Sequence, residues 1–354
     1  ARADFIKNNM KTQLVIEKYG IGNAVAVLDR KNIIDLFIDP PANSDFYSPN
    51  TFVEAKIQRR VSKRGGYFVK LPNGHQGFLK SSINYDEGEV VVLLSKVFFD
   101  ESKPQPFTDK LKIISRYFIL KLGKSGFSFS RKISKNFYKD KLIPIFEEKI
   151  KDHEGVFVIC RSRIAEISFD QIIEELGKIL QHHKSIMNAV SLKKKYCDGQ
   201  AKRNALDKYD VDRSLVIEEE GIFERLGLWD KINELSQRKI YIANGSYLIL
   251  EQTSAFFAID VNSGRNLKVG AEELNLQACS EICRLIKVLG IGGKIIIDFL
   301  PCTKPEKRVI YDFIMESFFD GAPTNKIWGW TNGGSFELQR ERDKSPLKLL
   351  VQDN

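Results

Sequence analysis

Apolar and polar residues alternate between positions 12 and 39, in TQLVIEKYG and then AVAVLDRKNIIDLFID, which predicts two or three strands. PPANSDFYSPN then breaks the pattern with three prolines and polar turn residues, as a joint between domains does. From Thr51 onward, FVEAKIQRRV, GGYFVKL, QGFLKSS and EVVVLLSKVFF are short strand-like runs separated by Gly, Pro and Asn turns. That spacing predicts a small antiparallel barrel of the OB type. DESKPQPFTDK reads as a second polar joint. Beyond it, KIISRYFILKLG and FSFSRKI predict strands, DKLIPIFEEKIKD an amphipathic helix, GVFVICRS a strand and SFDQIIEELGKILQHHKSIM a longer helix, together one mixed α/β unit.

Residues 190–240 are polar and helical in character, with weak periodicity. From Lys239 the pattern sharpens into YLILEQ, AFFAIDV, a helix over AEELNLQACSEICRLIKVL, the strand GKIIIDFL, a helix over PEKRVIYDFIMESFF and the strand IWGW. The two central strands are almost wholly apolar, which predicts a sheet covered on both faces. There is no internal repeat and no low-complexity tract.

Composition narrows the function classes. With 354 residues, 43% of them hydrophobic, the chain has apolar material for two or three domains. Its 55 Lys and Arg against 46 Asp and Glu leave a net charge of +9, which favours anionic partners, nucleic acid foremost. Five cysteines, Cys160, Cys197, Cys279, Cys283 and Cys302, form no CxxC pair and imply a reducing compartment. No apolar run approaches the ~18 residues of a membrane span, and ARADFIKNNM lacks a signal-peptide core, so the expected location is the cytoplasm. The chain opens on Ala, as a fragment or a processed form would.

Two carboxylates carry the candidate chemistry. Asp260 ends FFAID and Asp298 ends KIIID, both at the C-terminal ends of strands, where α/β sheets build their sites. If the strands are neighbours, two carboxylates ~5 Å apart repel by roughly 3 kcal/mol at an effective dielectric of about 20. One hard divalent ion, most simply Mg²⁺, relieves that repulsion through oxygen ligands and can activate a water for attack on phosphorus. Asn262 falls on the face of Asp260 if the strand continues, placed to hold a water or a phosphate oxygen. The plainer alternative is that each aspartate caps a helix or binds a turn amide. Neither the cysteines nor His75, His153, His182 and His183 show ligand spacing, which argues against a zinc or thiol enzyme.

AIDVNSGR followed by GGKIIIDFLP resembles the paired signature of the ribonuclease E/G family of bacterial endoribonucleases. The resemblance implies that Asp260 and Asp298 hold one catalytic Mg²⁺, with Asn262 beside them. GYFVKLPNGHQGFL is similar to the family's OB-fold segment, with Phe68 and Phe78 as the RNA-stacking pair, against the alternative that they pack in the barrel core. KPQPFT and SRYFIL resemble the next landmarks, with Lys103 as a basic RNA contact. GVFVICRS resembles the sensor that clasps a 5'-monophosphate, here through Arg161 and Ser162. WTNGGSFELQRERDKSPL resembles a stretch near the end of the catalytic domain, with Arg340 and Arg342 toward RNA. The implied architecture is a multidomain α/β and α+β chain. An RNase H-like unit comes from 1–45 and 196–238, an OB-fold, S1-like domain from 46–108, a 5'-sensor from 109–195 and a DNase I-like catalytic domain from 239–354. The implied activity is Mg²⁺-dependent cleavage of single-stranded RNA, in rRNA and mRNA processing and decay, preferring 5'-monophosphorylated ends.

The chain also departs from the family pattern. The stretch NLKVGAEELNLQACSEICRLIKVLGIGG between the aspartates is shorter and lacks the usual turn arginines, and Gln339 replaces a Thr or Ser. The CPxC motif that joins family protomers through a shared zinc is absent: either the chain is truncated or a homo-oligomer, if formed, does not use that link, and no zinc is expected from this chain; Cys279 and Cys283 read as packing residues. These departures keep open an RNA-binding module of the same fold with weak or lost cleavage.

Overall fold

The computed structural model describes residues 12–351, apart from 21, 42–43, 62–64, 101, 134–137, 192–199, 210, 243–244, 266–268 and 319–324. The opening segment, Cys197 and the expected boundary at 195–196 therefore lie outside the described residues. The chain divides into two compact units, one made of 1–41 with 211–354 and the other of 42–210.

The first unit begins with β1 (Thr12–Tyr19), β2 (Gly22–Asp29) and β3 (Asn32–Ile38), an antiparallel meander with a nearly continuous buried core. In the second unit, β4 (Phe52–Val61), β5 (Gly66–Lys70), β6 (Gln76–Lys80), β7 (Val90–Ser95) and β8 (Gln105–Thr108) close into a five-stranded barrel of order β4-β5-β6-β8-β7. The closing strand lies inside the segment read from sequence as a joint. Buried Gln105 bonds both the N–H and the carbonyl of Tyr47, which satisfies the polar residue that made the segment read as linker. Pro106 sits in the short parallel pairing with β6.

Still in the second unit, KIISRYFILKLG folds as two strands, β9 (Lys112–Ile114) and β10 (Phe118–Leu122), paired antiparallel around a turn. With β11 (Gly126–Phe129) and β12 (Val156–Cys160) they form a sheet of order β11-β12-β10-β9. Helices α1 (Lys139–Lys151) and α2 (Phe169–Ser191) supply Leu142, Phe146, Ile172 and Leu176 to the core beside Phe118 and Val158. Helix α3 (Gln200–Lys208) ends this unit.

Back in the first unit, β13 (Val216–Glu218) pairs in parallel with β1. Short helices α4 (Ile222–Arg225) and α5 (Leu228–Leu235) lead into β14 (Lys239–Tyr241), β15 (Tyr247–Gln252), β16 (Phe257–Asn262), helix α6 (Ala271–Val288), β17 (Gly293–Asp298), helix α7 (Lys304–Phe318), β18 (Lys326–Trp330) and β19 (Phe336–Arg340). The last six strands form one sheet of order β14-β15-β16-β17-β19-β18, in which only β16 and β17 run parallel. Leu248, Ile259, Val261, Ile295, Ile297, Phe336 and Leu338 pack on one side against Ala278, Ile282 and Ile286 of α6 and Ile310 and Ile314 of α7.

The expectation of a sheet covered on both faces is corrected here. Burial alternates along β16 and β17, and Ala258, Asp260, Ile296 and Asp298 lie on the half-exposed or exposed side. Ala258 and Ile296 made the runs look doubly buried, because an apolar residue on an open face is indistinguishable from a core residue by composition alone.

Candidate functional site

Parallel pairing of β16 with β17 sets Phe257 opposite Ile295, Ile259 opposite Ile297 and Asp260 opposite Asp298. Register partners on adjacent strands are about 4.8 Å apart and point to the same face. Both aspartates are exposed, so Asp260 is not the buried carboxylate its apolar surroundings suggested, and water screens much of the repulsion between the pair. Strand β16 runs two residues past Asp260, so Asn262 returns to the same face and donates from Nδ2 to Asp260 Oδ2 at 2.8 Å. That bond restrains the orientation of one carboxylate through a single oxygen.

The loops behind the pair are held by residues that the sequence reading did not select. Asn275, wholly buried on α6, accepts from Leu300 N at 3.1 Å and donates to Leu300 O at 3.0 Å, clamping the backbone two residues after Asp298. A polar residue on the apolar stripe of a helix, beside Leu274 and Ala278, was the signal for it. After Asn262, Gly264 has φ +63° and its missing Cβ would collide with the carbonyl of Gly245, so the turn demands glycine twice over.

Among the described residues, no three or more His, Cys, Asp and Glu side chains form a metal-holding cluster. A cation at this face would therefore take oxygen donors from two carboxylates and complete its shell with water or phosphate. That donor set suits a hard divalent ion and not zinc. Cys279 and Cys283 are buried in the helix core, and desolvation raises both thiols, the latter to about 11, as packing cysteines rather than ligands.

The remaining candidates separate by placement. Phe68 and Phe78 are cross-strand partners with ring centroids 5.7 Å apart, half-exposed and outside the barrel core built on Tyr67, Val69, Leu79 and Phe107. The Arg59 guanidinium lies 4.8 Å over the Phe68 ring. Lys103 is exposed and paired with Asp100 on a surface turn. Arg161 follows β12, donates from Nη1 to Ser115 O at 2.7 Å and is half-buried, with burial lowering its pKa, while Ser162 is exposed at the start of a 3₁₀ turn.

Arg340 does not face a ligand. It is 5% exposed, and its guanidinium donates to Ile291 O at 2.9 Å and to Asp343 at 2.7 Å. The expectation of an RNA contact at this position is corrected to an internal brace ahead of β17. Arg342 is exposed and lies across Gly292 and Gly293, where a side chain would displace it.

Residues 193–343 match the model of the Ribonuclease E/G family. The chain is 29% identical over 141 residues to Ribonuclease G of Haemophilus influenzae, covering 37% of this chain and 28% of that protein. It is 23% identical over 295 residues to Ribonuclease G of Salmonella typhimurium, covering 71% and 59% respectively. Against Ribonuclease E of Buchnera aphidicola the figures are 26% over 302 residues, covering 83% and 31%. The chain thus spans less than two thirds of the length of each of these relatives. Asp260, Asn262 and Asp298 all lie inside the region that matches the Ribonuclease E/G family model.

Proposed function

We propose that this chain is a metal-dependent endoribonuclease acting on single-stranded RNA, with Asp260, Asn262 and Asp298 as its active site. The observation that carries the reading is the in-register placement of Asp260 and Asp298 on one open face, with Asn262 bonded to the first. Mg²⁺ is the ion we assign to the two carboxylates, and when bound it would supply Lewis-acid stabilisation of charge on phosphoryl oxygens. Asn262 orients Asp260, and Asn275 holds the chain beyond Asp298 at fixed height. Exposure of the face admits a polymer, which a closed pocket would not.

The same reading gives the other surfaces their roles. Phe68 and Phe78 offer half-exposed rings on which bases stack, worth about 1–3 kcal/mol per base and tolerant of sequence. Lys103 and Arg342 meet the phosphate backbone, and Arg161 with Ser162 binds a terminal 5'-monophosphate through charge-assisted hydrogen bonds. The RNase H-like, S1-like and DNase I-like assignments, the RNA-processing role and a cytoplasmic location belong to this proposal too. Among the described residues no helix is long and apolar enough to cross a membrane.

The test is cleavage of a 5'-monophosphorylated, AU-rich oligonucleotide with Mg²⁺, with chelator, and with Asp298→Asn. We expect metal-dependent product from the unaltered chain and at least a hundredfold less from the variant, on the order of 3 kcal/mol of barrier. Equal rates would reject the site. Salt-sensitive retention of RNA without product would make the chain a binding module instead.

A further inference from the structure

The open face of the catalytic sheet continues beyond the carboxylates. Register places Lys239 opposite Ile249, Ile249 opposite Asp260 and Asp260 opposite Asp298, one row across four strands. The next row holds Tyr241, Tyr247 and Asn262. Register partners share a face, so both tyrosines and Lys239 stand on the side of the aspartates, while Ile240 and Leu248 between them point into the core.

The tyrosines are not there to fill a core. Tyr241 is 67% exposed, the largest exposure among the large hydrophobic side chains exposed in the described residues. Its ring centroid is 6.0 Å from that of half-buried Tyr247, edge to face. The Lys239 ammonium lies 3.7 Å from the Tyr247 centroid and 4.7 Å from the Tyr241 centroid. An exposed aromatic with a cation lying over its ring has the two elements that single-stranded nucleic acid recognises, a stacking surface and a phosphate partner. With adjacent strands about 4.8 Å apart, Tyr247 stands one strand from Asn262 and Tyr241 two, a span of about 10 Å. That is the reach of a nucleotide next to one whose phosphate lies at Asp260 and Asp298.

Resting on the reading of the carboxylate face as a nuclease site, we propose that Tyr241 and Tyr247, with Lys239, form a base-stacking subsite for single-stranded RNA at the β14–β15 edge. The subsite holds the nucleotide flanking the scissile phosphate, Tyr241 stacking on its base and Lys239 meeting the adjoining phosphate. Hairpin stability alone would account for a cross-strand Tyr pair, but not for the placement of both rings and the cation on the carboxylate side.

The test uses Asp298→Asn protein, so that RNA is not consumed, and oligonucleotides carrying a single 2-aminopurine at successive positions. We expect fluorescence quenching at one position that disappears in Tyr241→Ala and persists in Tyr241→Phe, with affinity about 5- to 150-fold weaker for the alanine variant. Lys239→Gln should flatten the salt dependence of binding while leaving the quenching in place. Because Tyr241 is exposed, the alanine variant should keep its circular dichroism melt. Unchanged quenching and affinity in folded Tyr241→Ala would overturn the subsite. Loss of cleavage in the unaltered chain together with Tyr241-dependent quenching would remove the nuclease reading and leave the RNA subsite standing.

Discussion

Lys344→Met should be among the most damaging single changes away from the catalytic face. Asp35 on β3 is wholly buried, and Lys344, 14% exposed at its side chain, reaches its carboxylate and Leu36 O, the latter at 2.7 Å. The same ammonium lies 4.9 Å from the Phe37 ring. Methionine keeps the stem's packing and removes the charge, so the carboxylate loses a buried counter-ion. Breaking a buried pair from one side costs about 3–5 kcal/mol, a large part of the 5–15 kcal/mol that holds a typical domain. At roughly 2–4 °C per kcal/mol for a unit of this size, the melting midpoint of the unit containing 1–41 and 211–354 should fall by about 6 °C or more. Asp35→Leu combined with Lys344→Met should recover most of that loss, because it replaces a charge pair with apolar contact. Differential scanning calorimetry on the three variants decides the matter. A shift under 2 °C for Lys344→Met, or no recovery in the double variant, would refute the claim that the pair braces this unit.

Two further side chains carry predictions of their own. Asn275→Ala removes both bonds to Leu300 and should cost on the order of 2–4 kcal/mol of stability while lowering kcat of any cleavage more than it raises KM; a pure KM effect would deny it a positioning role. Asp207, whose backbone partner is Arg116 N at 3.2 Å, has its pKa raised by burial to about 6 despite Arg203 and Arg161 nearby. A raised carboxyl pKa means that the folded state holds the proton more tightly, so this contribution is full below about pH 4 and is lost as pH rises through about 6. Asp207→Asn should therefore gain on the parent chain across that window, by up to roughly 3 kcal/mol, and parallel pH–stability curves would contradict it.

Much of the architecture was readable in the text because it rests on short-range pattern. The first three strands, the barrel's first four strands and helices α1, α2, α6 and α7 announce themselves through period and punctuation. What escaped depends on distant partners. Gln105 and Pro106 look like linker until Tyr47 and β6 are brought alongside. Arg340 looks like a phosphate ligand until Ile291 O and Asp343 engage its guanidinium. The pairing of Asp260 with Asp298 was anticipated from their places in two strands, but their exposure was not, because the sequence cannot say which of two apolar faces a helix will cover. Tyr241 and Tyr247 gave no warning, since strands β14 and β15 must be aligned before the rings share a side.

The parallel pairing of Leu14 with Val216 has a consequence for synthesis. The first strand leaves the ribosome some two hundred residues ahead of its neighbour and must wait with one edge unsatisfied. Residues 42–210 form a compact body of their own and can finish while the chain is still growing. Birth order and assembly order thus differ: residues 42–210 can mature first, and the first strand is completed only by the segment that follows them. Anything that slows translation past residue 210 should lengthen the exposure of that early edge to chaperones and proteases.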